Sequence, residues 1–224
     1  METVSAPLHR LPKAEIVWLA THRCEHRHTF LEHYACHRPV EERIGYWDIE
    51  TSNLDADFGI MLSYAFLDSQ TGKVISDVIT PEDIRKAKAG DEDKRLVAHC
   101  IEDMQAFDRV VTYYGTRFDM PYLRTRALAC GLDFPYYGTL KHTDVYFMVR
   151  NRFRLSRNRL ENACRVLLGR TDKTHIEAKY WRGGARGDKA SLAYILDHNK
   201  KDVVDLQKLY LKVRDFCRKT DTSL

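Results

Sequence analysis

An α/β fold is what this sequence predicts, opening with three antiparallel strands and continuing with helices that alternate with shorter strands. Two runs rich in aromatic and β-branched residues, Ile44–Thr51 and Phe58–Phe66, flank the turn-prone Ser52-Asn53-Leu54-Asp55. A third alternating run, Gly72–Ile79, follows a hairpin-suited turn at Ser69-Gln70-Thr71-Gly72. Leu96, Val97, Cys100, Ile101, Met104 and Phe107 then recur at helical spacing within Asp91–Asp108.

Bulk composition narrows the class. With 224 residues, 44% hydrophobic and 30% charged, the chain has the make-up of an ordinary soluble globular protein of one domain with a small appendage. No window reaches the 18 apolar residues or more of a membrane span, and the N-terminus lacks a signal-peptide layout. A cytoplasmic location is the expectation, with the six cysteines as thiols or metal ligands rather than disulfides. Net charge is +4 but uneven: Lys141–Lys189 holds thirteen Lys/Arg against five Asp/Glu, a balance of +8, leaving −4 for the rest. That asymmetry points to a polyanion partner, or to a solvated basic face.

The chain divides at about residue 40. Residues 1–14 are proline-punctuated, and Glu15–Ala20 reads as a short strand. Five of ten histidines and two of six cysteines then fall between His22 and His37. Thiolate with imidazole is the donor set of tetrahedral zinc, and Cys24, His28, His33 and Cys36 form one candidate set, with His26 or His37 able to substitute. Such a closed site would be structural, pinning a segment with little core of its own. The spacing matches no standard finger template, and a histidine-rich loop without metal is the competing reading.

Residues 41–224 carry the remaining elements. After the Asp91–Asp108 helix, Val110–Tyr114 reads as a strand entering Gly115. A helical pattern from Tyr122 ends at Gly131, with Asp119 before Pro121 in the position of a helix cap. A helix from about Ser156 to Leu168 is stopped by Gly169. The Gly-, Arg- and Lys-rich interval 170–189 contains Lys179-Tyr180-Trp181-Arg182, basic residues interleaved with aromatics. It suits single-stranded nucleic acid, or is an ordinary surface loop. A last helix runs from about Ser191 to Cys217.

Three short stretches carry candidate chemistry. On a strand, Asp48 and Glu50 emerge on one face and Ile49 on the other, setting two carboxylates about 7 Å apart. Their repulsion is relieved by a cation, although Asp-x-Glu alone is also an ordinary polar strand face. A carboxylate at the strand–helix junction of Asp119 can cap the helix and still face a cleft. His198 and Asp202, four residues apart, share one face of the last helix.

Asp48-Ile49-Glu50-Thr51, then Tyr114-Gly115 through Phe118-Asp119-Met120-Pro121-Tyr122-Leu123, then His198-Asn199-Lys200-Lys201-Asp202-Val203 resemble in order the three motifs of the DEDD 3′-5′ exonucleases. That family has a ribonuclease H-like fold, so the resemblance implies a mixed sheet, three antiparallel strands followed by parallel ones, flanked by helices. The likeness covers about residues 44–210 and is strongest to stand-alone exonucleases related to the proofreading domain of family B DNA polymerases. Some of those proteins also carry a Cys/His segment before the first motif.

The resemblance implies two Mg2+ or Mn2+ ions, hard cations suited to oxygen donors, held by Asp48, Glu50, Asp119 and Asp202. Asp48 would bridge both ions, Glu50 and Asp202 would complete one site and Asp119 the other. His198 would activate water. It stands four residues before Asp202, where one subclass has tyrosine and the other places its histidine five before, and Tyr194, one turn back, is a second candidate. Asp144 resembles a further acidic position of the family. Arg152, Arg154, Lys173 and Arg182 are candidate phosphate contacts, and Tyr180 and Trp181 candidate stacking partners. The expected activity is 3′-5′ hydrolysis of single-stranded nucleic acid, DNA before RNA. The rivals are a ribonuclease or endonuclease using the same centre, and a module that binds nucleic acid without cutting.

Overall fold

A computed structural model of the chain describes residues 13–24, 27–30, 32, 42–136, 138–169, 177–217 and 222–223. It separates into two units, Met1–Glu41 and Glu42–Leu224.

In the first unit the expected strand at Glu15–Ala20 is instead a helix, α1 (Lys13–Thr21). Lys13, Ala14, Leu19 and Ala20 favour helix, and a helix satisfies its backbone locally whereas a strand needs a neighbour. Trp18 stacks on His22 with ring centroids 4.3 Å apart. Cys24 and His28 close a short turn, in which the Cys24 amide donates to the His28 carbonyl and Arg27 takes φ +66°. His33 and Cys36, and the alternates His26 and His37, lie outside the described residues.

The second unit is built on β1 (Ile44–Thr51), β2 (Met61–Asp68), β3 (Val74–Val78), β4 (Arg109–Thr112), β5 (Lys141–Asp144) and the two-residue β6 (Thr222–Ser223). Their order is β3-β2-β1-β4-β5-β6. The first three are antiparallel, β4 and β5 run parallel to β1, and β6 is antiparallel to β5. Period-two alternation sorts the core onto the two faces. Trp47, Ile49, Leu62, Tyr64 and Phe66 meet Leu96, Cys100 and Met104 of α3 (Lys94–Met104) and Leu123 of α4 (Asp119–Ala129). Tyr46, Ala65, Leu67 and Val111 meet α5 (Val145–Arg152), α6 (Leu160–Leu167) and Val203, Leu206 and Leu209 of α8 (Lys189–Val213). Two short helices, α2 (Pro81–Lys86) and α7 (Ala178–Gly184), complete the unit. Among the described residues no helix is long and apolar enough to cross a membrane.

Several boundaries differ from expectation for local reasons. β2 begins at Met61 because Phe58 stays exposed in the loop and Gly59 passes too close to Tyr122 Oη, 2.6 Å from where a Cβ would sit. The helix expected from Ser156 starts only at Leu160, and residues 153–159 are not helical. Part of the expected basic loop is α7, and the last helix ends at Val213 before a single 3-10 turn.

His142 on β5 gives the fold a pH dependence. Burial, aided by Arg109 and opposed by Asp144, pushes its imidazole down to about 4 from 6.5, with Nε2 2.8 Å from Thr112 Oγ1. Between those values the unfolded chain binds a proton that the folded one refuses. The stabilisation is therefore complete above about pH 6.5 and is lost as pH falls towards about 4. The loss should approach roughly 3 kcal/mol. Urea midpoints at pH 7 and 4.5 should differ less in His142→Gln than in the wild type; equal differences would assign the effect to other groups.

Candidate active site

β1 projects Asp48 and Glu50 from the face that α8 covers, opposite Ser63 and Ala65 of β2. Asp48 pairs in register with Ala65 and Glu50 with Ser63, and the register shifts just after Glu50. One face of α8 presents His198, Asn199 and Asp202 to this edge, all buried. Asn199 Nδ2 donates to Asp48 Oδ2 at 2.7 Å, while Asn199 Oδ1 accepts from Ser63 Oγ at 3.1 Å. His198 Nε2 lies 3.8 Å from Glu50 Oε1 and 3.6 Å from Asp202 Oδ2.

Asp119 arrives from the other side of β1. The expected cap is not what it forms: it is the first residue of α4, with Phe118 in the cap position and no side-chain capping bond. Its Oδ1 accepts from the Ile49 amide at 3.1 Å, and the side chain is 3% exposed. The turn that delivers it is tight. Tyr114 has φ +72°, and a Cβ on Gly115 would fall 2.3 Å from Thr112 Oγ1. Asp144 fastens this turn, accepting from the amides of Tyr114 at 2.8 Å and Thr116 at 3.0 Å while capping α5 through Tyr146. Asp144 thus acts on the site through the backbone that carries Asp119.

Glu50 of β1 is therefore brought together with His198 and Asp202 of α8, while Asp48 is tied to the same helix through Asn199 and Asp119 of α4 is held on the backbone amide between Asp48 and Glu50. Glu50, His198 and Asp202 each offer a ligand atom, and these atoms lie within 4.8 Å of one another. Carboxylate oxygens with one imidazole suit a divalent cation.

The expected substrate contacts are placed differently. Trp181 points its indole into the site, donating from Nε1 to Glu50 Oε2 at 3.2 Å, so it orients a carboxylate rather than offering a free stacking face. Tyr180 is stacked on Tyr194, centroids 4.2 Å apart, which occupies both the proposed stacker and the second water-activating candidate. Arg182 is exposed and turns back to the Ala178 carbonyl. Arg152, the last residue of α5, lies about one helix length, ~12 Å, from the Asp144 end, and its guanidinium reaches Cys217. Arg154 is two residues further on, and Lys173 lies outside the described residues.

Sequence reasoning missed Asn199, Ser63 and the indole of Trp181. Asn199 was reachable, because it stands three residues before Asp202 on the same helical face. Replacing it by alanine should lower affinity for the divalent ion about 10- to 100-fold, read by Mn2+ titration, as for other residues that orient a ligand. An unchanged affinity would mean that Asp48 holds its position without it.

Comparison with known proteins agrees with this architecture. The chain is 28% identical, over an alignment of 182 residues, to a DNA polymerase of Methanocaldococcus jannaschii, covering 69% of this chain and 11% of that protein. Its fold superposes with a TM-score of 0.59 on the family B DNA polymerase of the hyperthermophilic archaeon Pyrobaculum calidifontis, at 19% identity. That superposition covers 77% of this chain and 25% of the polymerase, so the chain spans a small part of both relatives. The family model of the RNase H superfamily matches residues 45–214, which include β1, α4 and α8 and every one of the four carboxylates. By that match and by its sheet order, the chain belongs to the RNase H superfamily.

Proposed function

We propose that this chain is a metal-dependent 3′-5′ exonuclease acting on single-stranded nucleic acid, with DNA preferred. The observation that supports the reading is the grouping of Glu50 with His198 and Asp202, distant along the chain, next to Asp48 held by Asn199 and Asp119 held on the Ile49 amide. The likeness to two DNA polymerases supports a nucleic-acid substrate and favours DNA.

Asp48, Glu50, Asp119 and Asp202 would hold two Mg2+ or Mn2+ ions, which neutralise charge on the scissile phosphate and acidify the attacking water. The chain's own residues do the rest. Asn199 fixes the direction of Asp48, and Trp181 fixes one oxygen of Glu50. Asp144 holds the turn that places Asp119. His198, buried between Glu50 and Asp202, would accept the proton of the attacking water. The Cys24, His28, His33 and Cys36 set retains the reading of one structural zinc ion. Elemental analysis should find one equivalent per chain, and substoichiometric zinc would return the segment to an ordinary loop.

The deciding experiment is a digestion time course on DNA and RNA oligonucleotides labelled at either end, with Mg2+, Mn2+ or EDTA. Mononucleotide release from a free 3′ end, faster on DNA and stopped by EDTA, is expected. Internal cleavage, or cleavage of a 3′-blocked strand, would make the enzyme an endonuclease. Binding without hydrolysis across several divalent metals would make it a non-cutting module.

A further inference from the structure

We propose that the stretch from Arg150 to Arg159 is a fixed cationic track for the phosphodiester backbone of a nucleic-acid strand, at a distance from the reacting end. The proposal rests on the nuclease reading for its partner but not for its geometry. Arg150, Arg152, Arg154, Arg157 and Arg159 are all exposed, and no Asp or Glu occurs between Val145 and Leu160. Among the described residues none of the five guanidinium groups makes an ion pair. Five like charges within ten residues repel one another, and salt bridges with neighbouring carboxylates are the usual relief. Among the described residues no carboxylate supplies that relief.

The track is also held in shape. Exposure alternates with period two along it, with one extra outward step at Ser156. Arg152, Arg154, Arg157 and Arg159 face out while Phe153, Leu155, Asn158 and Leu160 turn inward. Phe153 and Arg159, at its two ends, have extended backbone. Phe153 packs edge-on against Phe216, and with Leu155 it joins the core beneath α5, α6 and α8. Tyr113 Oη donates to the Asn158 carbonyl at 2.9 Å, and Asn162 Nδ2 to that of Arg157 at 2.7 Å. Across the extended Phe153 a two-residue step of about 6.6 Å separates Arg152 from Arg154. A row of guanidinium forks on a rigid backbone matches a repeating series of phosphates. An anionic membrane surface needs no such register.

α5 joins the track to the centre. Its first turn is capped by Asp144, which holds the turn carrying Asp119, and its last residue is Arg152. The arginines beyond it therefore begin about 12 Å along the helix from Asp144. They would engage nucleotides further along the strand and favour long substrates over short ones.

The test is binding of a 5′-fluorescein 20-nucleotide oligo-dT by anisotropy between 50 and 200 mM NaCl, in EDTA so that no cleavage intervenes. The triple variant Arg154→Gln/Arg157→Gln/Arg159→Gln should flatten the slope of log K against log salt by about 2, at ~0.7 for each phosphate of a single strand that is no longer neutralised. The corresponding triple lysine variant should keep the wild-type slope, which separates charge from folding. With metal restored, the glutamine variant should turn over the 20-mer more slowly but a four-nucleotide substrate at the wild-type rate. An unchanged salt slope in the glutamine variant would overturn the track. So would loss of binding to vesicles of 30% phosphatidylserine in phosphatidylcholine with oligonucleotide binding intact. Because binding is read without metal, the track can stand if the nuclease reading fails, and the reverse.

Discussion

Asp48→Asn should reduce phosphodiester hydrolysis by ~10³-fold or more while leaving the fold intact, since it removes a charge and almost no volume. Asp48 lies on β1, between antiparallel β2 and parallel β4, its Oδ2 already fixed by Asn199, and an asparagine can still offer Asn199 an oxygen in the same place. What it cannot offer is the negative charge that a divalent ion needs from its oxygen ligands. Circular dichroism and thermal melting should match the wild type or exceed it slightly, because the repulsion between Asp48 and Glu50 is relieved. Metal-free oligonucleotide affinity should change little. A variant that keeps more than a tenth of wild-type turnover would mean that the reaction occurs elsewhere.

Arg126→Met should lower stability by about 3–5 kcal/mol, the scale for removing one partner of a buried ion pair. Asp93 is fully buried, and its carboxylate is gripped by Arg126 Nε and Nη2, the shortest contact being 2.6 Å. The same carboxylate accepts from the Met61 amide at the start of β2, and Arg126 Nη2 also reaches the Gly90 carbonyl. One pair therefore fastens α4 to the loop before α3 and to the sheet. Without the guanidinium, Asp93 remains as an uncompensated charge beneath the loop that follows β1. Arg126→Lys should recover only part of the stability, because an ammonium cannot make the forked contact. Urea unfolding of the three proteins measures this directly. A change under 1 kcal/mol would show that the pair is replaceable by packing.

The legible parts of the fold were those with a local period. β1, β2 and β3, the apolar stripe of α3, and the helix that holds His198 and Asp202 all repeat every two or 3.6 residues, and the structure has each of them. The end points slipped where a single contact decided them, as at Gly59 against Tyr122 or at the 153–159 stretch that a tyrosine hydroxyl and an asparagine amide hold open. The N-terminal helix differs from the expected strand because the five apolar residues 16–20 show no clear period, so that helix propensity and the lack of a partner strand among the described residues decide.

The sequence by itself determined that Asp48 and Glu50 share one strand face and that His198 and Asp202 share one helix face, because spacing along a strand and a helix fixes which side chains leave on the same side. It also determined that the basic charge is concentrated between residues 141 and 189. Only the tertiary structure decided who holds those carboxylates in place: Asn199 across from Asp48, Trp181 on Glu50, and Asp144 behind Asp119. The bonds from Asn199 to Asp48 and from Trp181 to Glu50 span 151 and 131 positions, and those from Tyr114 and Thr116 to Asp144 span 30 and 28; hydrogen bonds at such separations leave no period for a sequence to display. It likewise turned Tyr180 and Tyr194 towards each other and set the arginines of 150–159 outward on a pinned backbone, since side-chain direction follows from packing rather than from residue type.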